Sequence, residues 1–499
     1  VSRAARAAAG SAPATVLRVA AVLADPASGR LDGPAEIRLE NGRIAALTPL
    51  GNDLPEDASG VQPLIALPAP ANAHDHGRGL RSAAFGAHDE ALETWLAGLA
   101  REPLVDPWLR AVVAFGRMVE GGAGIANHCH NTQRGDRLLQ EAQGVAKAAA
   151  DVGLRIAFAL PFAGRNAVVY GELDHLLRRV PPRDHEALRA MRAGGRSLAE
   201  NLALMEQAAA FEHEGFQLQY CPVGPQWVDD ATLAAIARGS ADSGRRVHMH
   251  LLETRYQREW ADAHYADGLI AHLDAIGLLS PRLTVAHAVW LTPAECELLA
   301  ERGVIVAANA SSNLRLRSGV APVHAFRASG LRFGIGMDGM SLDDDDDLLR
   351  EMRLLRQLNR GSASEPDFDA GTLFAAACVD GRRSVLGDDG GGRIAAGAPA
   401  DLLLLDSRRF SRDSLAPGRD QWLALMLTRM RAEDIAALYI GGRAVAVGGR
   451  ACGVDLPALE AELTALARAA RALAPPDEGR IGRLRAGVED YYKAGCHGH

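Results

Sequence analysis

The segment Asn72-Ala73-His74-Asp75-His76 emerges directly from the apolar run Leu64-Ile65-Ala66-Leu67-Pro68. Histidines at i and i+2 of a strand share one face, and a metal ion needs two imidazoles that converge in this way. His-x-His recurs at His128/His130 and His248/His250, and His287 and Asp338 follow, each near the end of a short apolar run. A metal site assembled from these residues requires a fold that brings the ends of several short strands to one place.

From residue 64 onward, strand-like and helix-like stretches alternate. Strands are expected at 69–76, 124–130, 154–160, 216–221, 246–251, 283–288, 304–308 and 332–337, with helices at 136–151, 197–214, 230–243, 292–302 and 347–359. Eight such units fit an α/β fold, a (β/α)8 TIM barrel. A doubly wound open sheet is the alternative, but no Gly-x-Gly-x-x-Gly follows an early strand, and its first and eighth strands could lie far apart. In a barrel, His76, His130, His250, His287 and Asp338 sit at the C-terminal ends of strands 1, 2, 5, 6 and 8, around one mouth.

Outside the barrel the pattern is β-like at 15–23, 35–39 and 43–47, with an Asn41-Gly42 hairpin turn between the last two. After a helix at 372–386, the segment from Gly390 to Asp406 turns the chain back to β-like runs at 435–440 and 443–447. The expected organisation is an N-terminal part of a small β-sandwich (1–67), the barrel (68–388), the C-terminal part of the sandwich (389–455) and a helical tail (456–499). The tail reads as two amphipathic helices joined by Pro475-Pro476, serving packing or a subunit contact. A homo-oligomer, dimer or tetramer, is expected.

Composition narrows the function classes. A hydrophobic fraction of 48% and a mean hydropathy of -0.05 describe a soluble chain with ample core, and no apolar run is long enough to cross a bilayer. A net charge of -8 without a basic stripe argues against nucleic acid as a partner. The six cysteines are scattered without Cys-x-x-Cys and read as reduced, mostly buried thiols, pointing to the cytoplasm. The Ala/Arg-rich start resembles a targeting peptide, but Arg18 interrupts its apolar stretch, and a structural strand is the preferred reading.

The motifs His74-Asp75-His76, His248-Met249-His250-Leu251-Leu252-Glu253-Thr254, Val285-Ala286-His287-Ala288, Ser312-Asn313-Leu314 and Gly336-Met337-Asp338-Gly339 occur in that order. Together they resemble the amidohydrolase superfamily, and the His-x-His-x-x-Glu-Thr segment resembles its cytosine deaminase/triazine hydrolase branch. Gly397-Ala398-Pro399-Ala400-Asp401-Leu402 is similar to the segment that leads those enzymes back into their β-sandwich. The resemblance implies one divalent metal, Zn2+ with Fe2+ as the alternative, bound by His74, His76, His250 and Asp338. It also implies His287 as the hydrogen-bond partner of the attacking water and Glu253 as the proton shuttle.

That set suits hydrolytic deamination of a heteroaromatic amidine, which needs a strong nucleophile at neutral pH and a proton for the ring nitrogen. Asp338 is expected to take the proton of the water. The same machinery could expel chloride, an alkylamine or sulfide. Cyclic-amide ring opening, which in this superfamily typically uses a carboxylated Lys bridging two metals, is disfavoured: Lys147 and Lys493 are the only lysines, and neither lies at the end of strand 4. A non-catalytic paralogue would be expected to lack Glu253 or a ligand. The partner is a small heterocyclic molecule, purine, pyrimidine, pterin or triazine-like.

Substrate contacts are expected from loops: Arg78, Arg81, Trp95, Phe162, Arg165, Gln226 and Trp227, with His130 and His248 in the pocket or behind the ligands, or as core histidines. Gly77-Arg78-Gly79 departs from the apolar residues usual after the first pair. His128-Cys129-His130 as a second metal site is a minor alternative. The run Asp343–Asp347 is expected to cap the next helix, with contact to a cationic substrate as the alternative.

Overall fold

The computed structural model describes residues 14–51, 60–163, 168–361, 368–415 and 418–498. Eight parallel strands, Ala71–Asp75, Ile125–Cys129, Arg155–Pro161, Phe216–Val223, Val247–Leu251, Leu283–His287, Ile305–Ala308 and Arg332–Ile335, close into a barrel in chain order. Each lies within or across one of the expected intervals. The outward faces are apolar, for example Ile156, Phe158 and Leu160 or Val247, Met249 and Leu251, and they pack under the surrounding helices. The inward positions are small or polar. Ala71, Ile125 and Ala157 meet Val385 from the helix Gly381–Leu386, which plugs the lower end. Asn127 and Thr284 donate to Ser384 O and Gln219 donates to Val385 O, tying the plug to the strands.

Local chemistry sets the helix starts. Thr292 and Ser197 each form a capping box, with Glu295 and Glu200 respectively, and Asp347 accepts from Arg350 N at 3.0 Å. Only the last member of the aspartate run therefore performs the expected capping. Asp346 pairs with Arg81, Asp344 with Arg315, and Asp343 and Asp345 with Arg350.

The two chain ends build one further sheet of eight strands around the barrel's side. At its centre, Gln62–Pro68 pairs parallel with Thr15–Val22 and antiparallel with Leu402–Asp406. Alternation explains the Leu402-Leu403-Leu404-Leu405 run: Leu402 and Leu404 enter the sheet's own core, and Leu403 and Leu405 pack toward the barrel. The hairpin turn has Asn41 and Gly42 at φ 50° and 75°, the left-handed pair that a two-residue turn needs. Only Ala69 and Pro70 separate the central strand of this sheet from the first barrel strand, so the sheet fixes the approach of His74.

In the tail, Leu456–Leu473 lies against Pro107–Glu120, and Glu478–Lys493 lies along Leu92–Gly98 above the barrel mouth. Among the described residues no helix is long and apolar enough to cross a membrane.

Candidate active site

Three backbone devices aim the polar groups. Ala71 and Ala73 already face the barrel interior, so plain alternation would turn His74 outward. A register shift between Asn72 and Asp75, against the second strand, inserts one residue and reverses the parity. His287 would likewise fall on the wrong side, since Ala286 faces the interior, but it adopts left-handed backbone at φ 71°; Asp338, already on the inward parity of Gly334 and Gly336, is set by the same conformation at φ 59°. Val223 and Leu252 share this conformation, at φ 62° and 46°. Such strain in non-glycine residues is unfavourable and gathers where geometry is imposed by function.

The imidazoles are oriented from behind. His76 Nδ1 donates to Cys129 O at 2.7 Å, and His250 Nδ1 to Val223 O at 2.6 Å. A carbonyl can only accept, so both Nε2 atoms are left with a lone pair directed inward. His74 Nδ1 lies 2.7 Å from His248 Nε2, the two rings stacked at 4.9 Å. His74 Nε2 and His76 Nε2 each stand 3.0 Å from Asp338 Oδ1, and His250 Nε2 is 3.4 Å from His76 Nε2. Yet His74 Nε2 and Asp338 Oδ1 are buried without a hydrogen-bond partner. Lone pairs from three imidazoles and a carboxylate crowded this closely call for a cation among them. The donor set, three nitrogens and one oxygen, fits a divalent ion such as zinc.

Electrostatics agree. Burial lowers His74 and His76 to about 4 and His250 to about 3, keeping the imidazoles neutral. Burial opposes ionisation of Asp338, but the neighbouring His74 and His76 hold its carboxyl well below the usual range. Ser312 Oγ donates to Asp338 Oδ2 at 2.5 Å.

Glu253 lies across the cleft. Burial is the main cause that raises its carboxyl to about 7, with the charges of Asp338 and Glu93 acting in the same direction and His287 and Ser318 opposing. Its Oε2 is 3.8 Å from His287 Nε2, and Ser318 Oγ donates to its Oε1 at 3.1 Å. His287 Nδ1 is 2.9 Å from Asn313 Oδ1, and its Nε2 lies 4.0 Å from Asp338 Oδ2. A carboxyl raised to about 7 and a carboxylate held well below its usual range thus face one space, an arrangement suited to acid–base chemistry on a bound molecule.

That space is a cleft of about 280 Å3 lined by His76, His250, Glu253, His287 and Asp338. Of the expected substrate contacts, Arg78, Trp95 and Trp227 line it. Arg78 is 4% exposed, lies 5.2 Å from the Trp95 ring centroid, and has no hydrogen-bond partner at Nε. The flanking glycines explain the unusual Gly77-Arg78-Gly79: a Cβ on Gly77 would lie 2.4 Å from the His128 ring, and one on Gly79 2.4 Å from Arg110 O.

Other candidates sit elsewhere. Phe162 packs on Tyr220 in the core, Gln226 is buried outside the cleft wall, and Arg81 is engaged by Asp346. His248 backs His74 rather than meeting the cleft. Arg165 lies outside the described residues. Asn127 and Cys129 take the inward positions of the second strand, so His128 and His130 point outward to the helices. His130 Nε2 is bound to Glu141 Oε2 at 2.8 Å and cannot reach the mouth. The Cys129 thiol, hydrogen-bonded to the Cys221 thiol at 3.7 Å and buried, is pushed well above its ordinary range. None of the five consecutive aspartates lines the cleft.

Sequence reasoning missed Glu93, Asn131, Leu484 and Val488, all in the cleft wall. Glu93 Oε1 accepts from Thr254 Oγ1 at 2.5 Å and from Tyr170 OH at 3.0 Å.

A 5-methylthioadenosine/S-adenosylhomocysteine deaminase of Nitratidesulfovibrio vulgaris is 35% identical over 189 residues, 37% of this chain and 43% of that protein. A 5'-deoxyadenosine deaminase of Methanothermobacter thermautotrophicus is 29% identical over 255 residues, 48% and 58% of the two chains. The chain thus spans about half the length of the curated relatives it matches. Among solved structures, an adenosine deaminase of Xanthomonas campestris with bound zinc superposes with TM-score 0.73 at 24% identity, covering 92% of this chain and 97% of that one. The atrazine chlorohydrolase of Arthrobacter aurescens TC1 in complex with zinc gives 0.74 at 20%, covering 91% and 99%. These two share the fold. The amidohydrolase family model matches residues 65–445, from the strand that feeds His74 into the strand Arg443–Val447 of the flanking sheet, and the chain belongs to the amidohydrolase family.

Proposed function

We propose that this chain is a metal-dependent aminohydrolase that deaminates a small nitrogen heterocycle. The observation that carries the reading is the convergence of His74 Nε2 and His76 Nε2 on Asp338 Oδ1, with His74 Nε2 and Asp338 Oδ1 buried without a hydrogen-bond partner and the raised carboxyl of Glu253 facing the same cleft. His74, His76, His250 and Asp338 would hold one divalent metal per chain, zinc first and Fe2+ as the alternative. Such a cation supplies a water that is acidic near neutral pH.

The residues divide the remaining work. Asp338 takes up a proton at Oδ2, the atom Ser312 already holds in place. His287, with Nδ1 turned to Asn313, presents Nε2 to orient the attacking oxygen. Glu253 delivers its proton to the ring nitrogen and recovers one from the new hydroxyl group, while the proton taken up by Asp338 passes to the departing amine. Trp95 and Trp227 suit a flat ring, and Arg78 suits a carbonyl or anionic substituent. The names of the curated relatives favour an adenine-bearing nucleoside as the ring to test first.

A cytoplasmic location is supported by the free cysteines, of which Cys129, Cys221, Cys296, Cys378 and Cys496 are buried. A homo-oligomer, dimer or tetramer, is supported by Leu466 and Leu473, seven residues apart on one helix face and 44% and 88% exposed; mass measurement in solution tests it. The function is tested by assaying ammonia release from metal-loaded enzyme across adenine nucleosides, free purines, pyrimidines, pterins and triazines. Turnover of at least one ring, lost in Glu253→Gln, is expected. Absence of ammonia throughout, with release of chloride or an alkylamine instead, would replace the leaving group.

A further inference from the structure

The opposite mouth of the barrel carries a second polar cavity, about 840 Å3 in volume and open to solvent. Its wall includes Arg245, Arg246, Arg282, Arg332 and Arg383, against the two carboxylates Glu212 and Asp388. Arg246, Arg282 and Arg332 stand at the N-terminal ends of the fifth, sixth and eighth barrel strands. Arg245 is committed to Glu212 through bonds of 2.6 and 2.8 Å, whereas Arg383 makes only long approaches, to Asp388 at 3.8 Å and to Asp380 at 3.9 Å.

Among the described residues, no carboxylate lies within ion-pair distance of Arg246, Arg282 or Arg332. They bond neutral acceptors instead: Arg246 Nε to Ser384 O at 3.1 Å, Arg282 Nε to Ser240 Oγ at 3.0 Å, and Arg332 Nη2 to Gly303 O at 3.3 Å. A guanidinium has five N–H donors, so Arg282 and Arg332 keep donors beyond those each gives to its neutral acceptor. Strapping carbonyls would not by itself require three cations without an ion-pair partner around one cavity, in a chain whose net charge is -8, although Asp380 offsets part of the charge of Arg332 and Arg383. Burial, then Arg282, Arg332 and Arg383, lowers Arg246 to about 10, which reflects that crowding.

We propose that this cavity binds a compact oxyanion of two or more charges, a phosphate or phosphoryl group, at the barrel mouth opposite the candidate active site. Forked guanidinium donors match such an ion in both charge and geometry. Full-length, metal-loaded protein, freed of excess metal, is titrated with inorganic phosphate, pyrophosphate or ATP against potassium chloride of equal ionic strength, and the unfolding midpoint is followed. A saturable rise that chloride does not reproduce is expected. The inorganic ions acting alone would assign a free phosphate, and ATP acting alone a phosphoryl ester. Arg282→Gln/Arg332→Gln should weaken the apparent affinity by about 10-fold or more. Ser243→Glu, which adds a carboxylate at the exposed rim, should weaken it with less risk to folding. No saturable rise with any of the three ligands, or a rise unchanged in both variants, overturns the proposal.

Discussion

At the scale of single residues, Glu253 and His248 separate chemistry from metal retention. The Glu253 carboxyl is raised to about 7, chiefly by burial, so its protonated form prevails below that pH. As the proposed donor it should give kcat/KM an alkaline limb, activity falling as pH rises through about 7. Glu253→Gln should lower kcat by about 10^2- to 10^4-fold with metal content unchanged; retained activity would remove it from the mechanism. His248 contributes differently, holding His74 through a 2.7 Å contact without reaching the cleft. His248→Phe should weaken zinc binding by about 10- to 100-fold, read by chelator competition, while kcat at saturating metal falls much less. The proposed ligands were legible in the sequence because each is a histidine or aspartate at a strand end within a recognisable motif. What aims them was not, since a bulge and left-handed φ values arise from pairing with neighbouring strands. Nor was Glu93, a carboxylate on a helix whose place over the mouth depends on the tertiary fold.

At the scale of elements, Asp401 shows why the turn into the last part of the flanking sheet has its sequence. It is buried, bonds Arg155 Nε at 3.1 Å and Arg382 Nη1 at 2.8 Å, and accepts from Gly441 N at 2.6 Å. One carboxylate thereby joins the third barrel strand, the plug helix and the sheet. Asp401→Ala leaves Arg382 paired with Asp389 and Arg155 with only a long contact to Glu214, so it removes charge-assisted bonds and should destabilise the fold by about 1.5–3 kcal/mol, measured by urea unfolding; a change within about 1 kcal/mol would reduce the latch to an ornament of packing. Glu141 provides a pH-dependent counterpart. Burial favours its neutral form, but the hydrogen bond from His130, its charge and backbone donors bring it down to about 2 from the usual 4.5. With the folded value below the unfolded one, the pair stabilises the protein above about pH 4.5, and that contribution is lost as pH falls toward 2. The stability gap between wild type and Glu141→Gln should therefore be widest near neutrality and close in acid. Equal gaps at pH 7 and pH 3 would exclude this role. His-x-His at 128/130 had the same appearance as the pairs at 74/76 and 248/250, and strand parity alone sends it to the helix side.

At the scale of the molecule, the tail completes the cleft. From the sequence, the two terminal helices are apolar on one side and carry no motif, so packing or a subunit contact is all that their periodicity could indicate. In the fold, Leu484 and Val488 form part of the cleft wall, over 140 residues after Asp338. Tyr492 OH accepts from Tyr170 N at 3.2 Å and Tyr491 OH from Gly171 N at 3.1 Å. Tyr170 OH in turn meets Glu93 and Gln257, and Gln257 Oε1 accepts from Glu253 N at 2.8 Å. The tail therefore braces the loop that shapes the Glu253 side of the site. Its apolar contacts are remote from the proposed reacting atoms, so they should strengthen ground state and transition state alike. Val488→Ala, which removes two carbons from the wall, should raise KM by about 3- to 15-fold with kcat nearly unchanged. A chain ending after residue 474 loses the tyrosine braces as well and should lose kcat along with KM. If both variants left KM unaltered for every accepted ring, the helix would be packing only, and ring choice would rest with Arg78, Trp95 and Trp227.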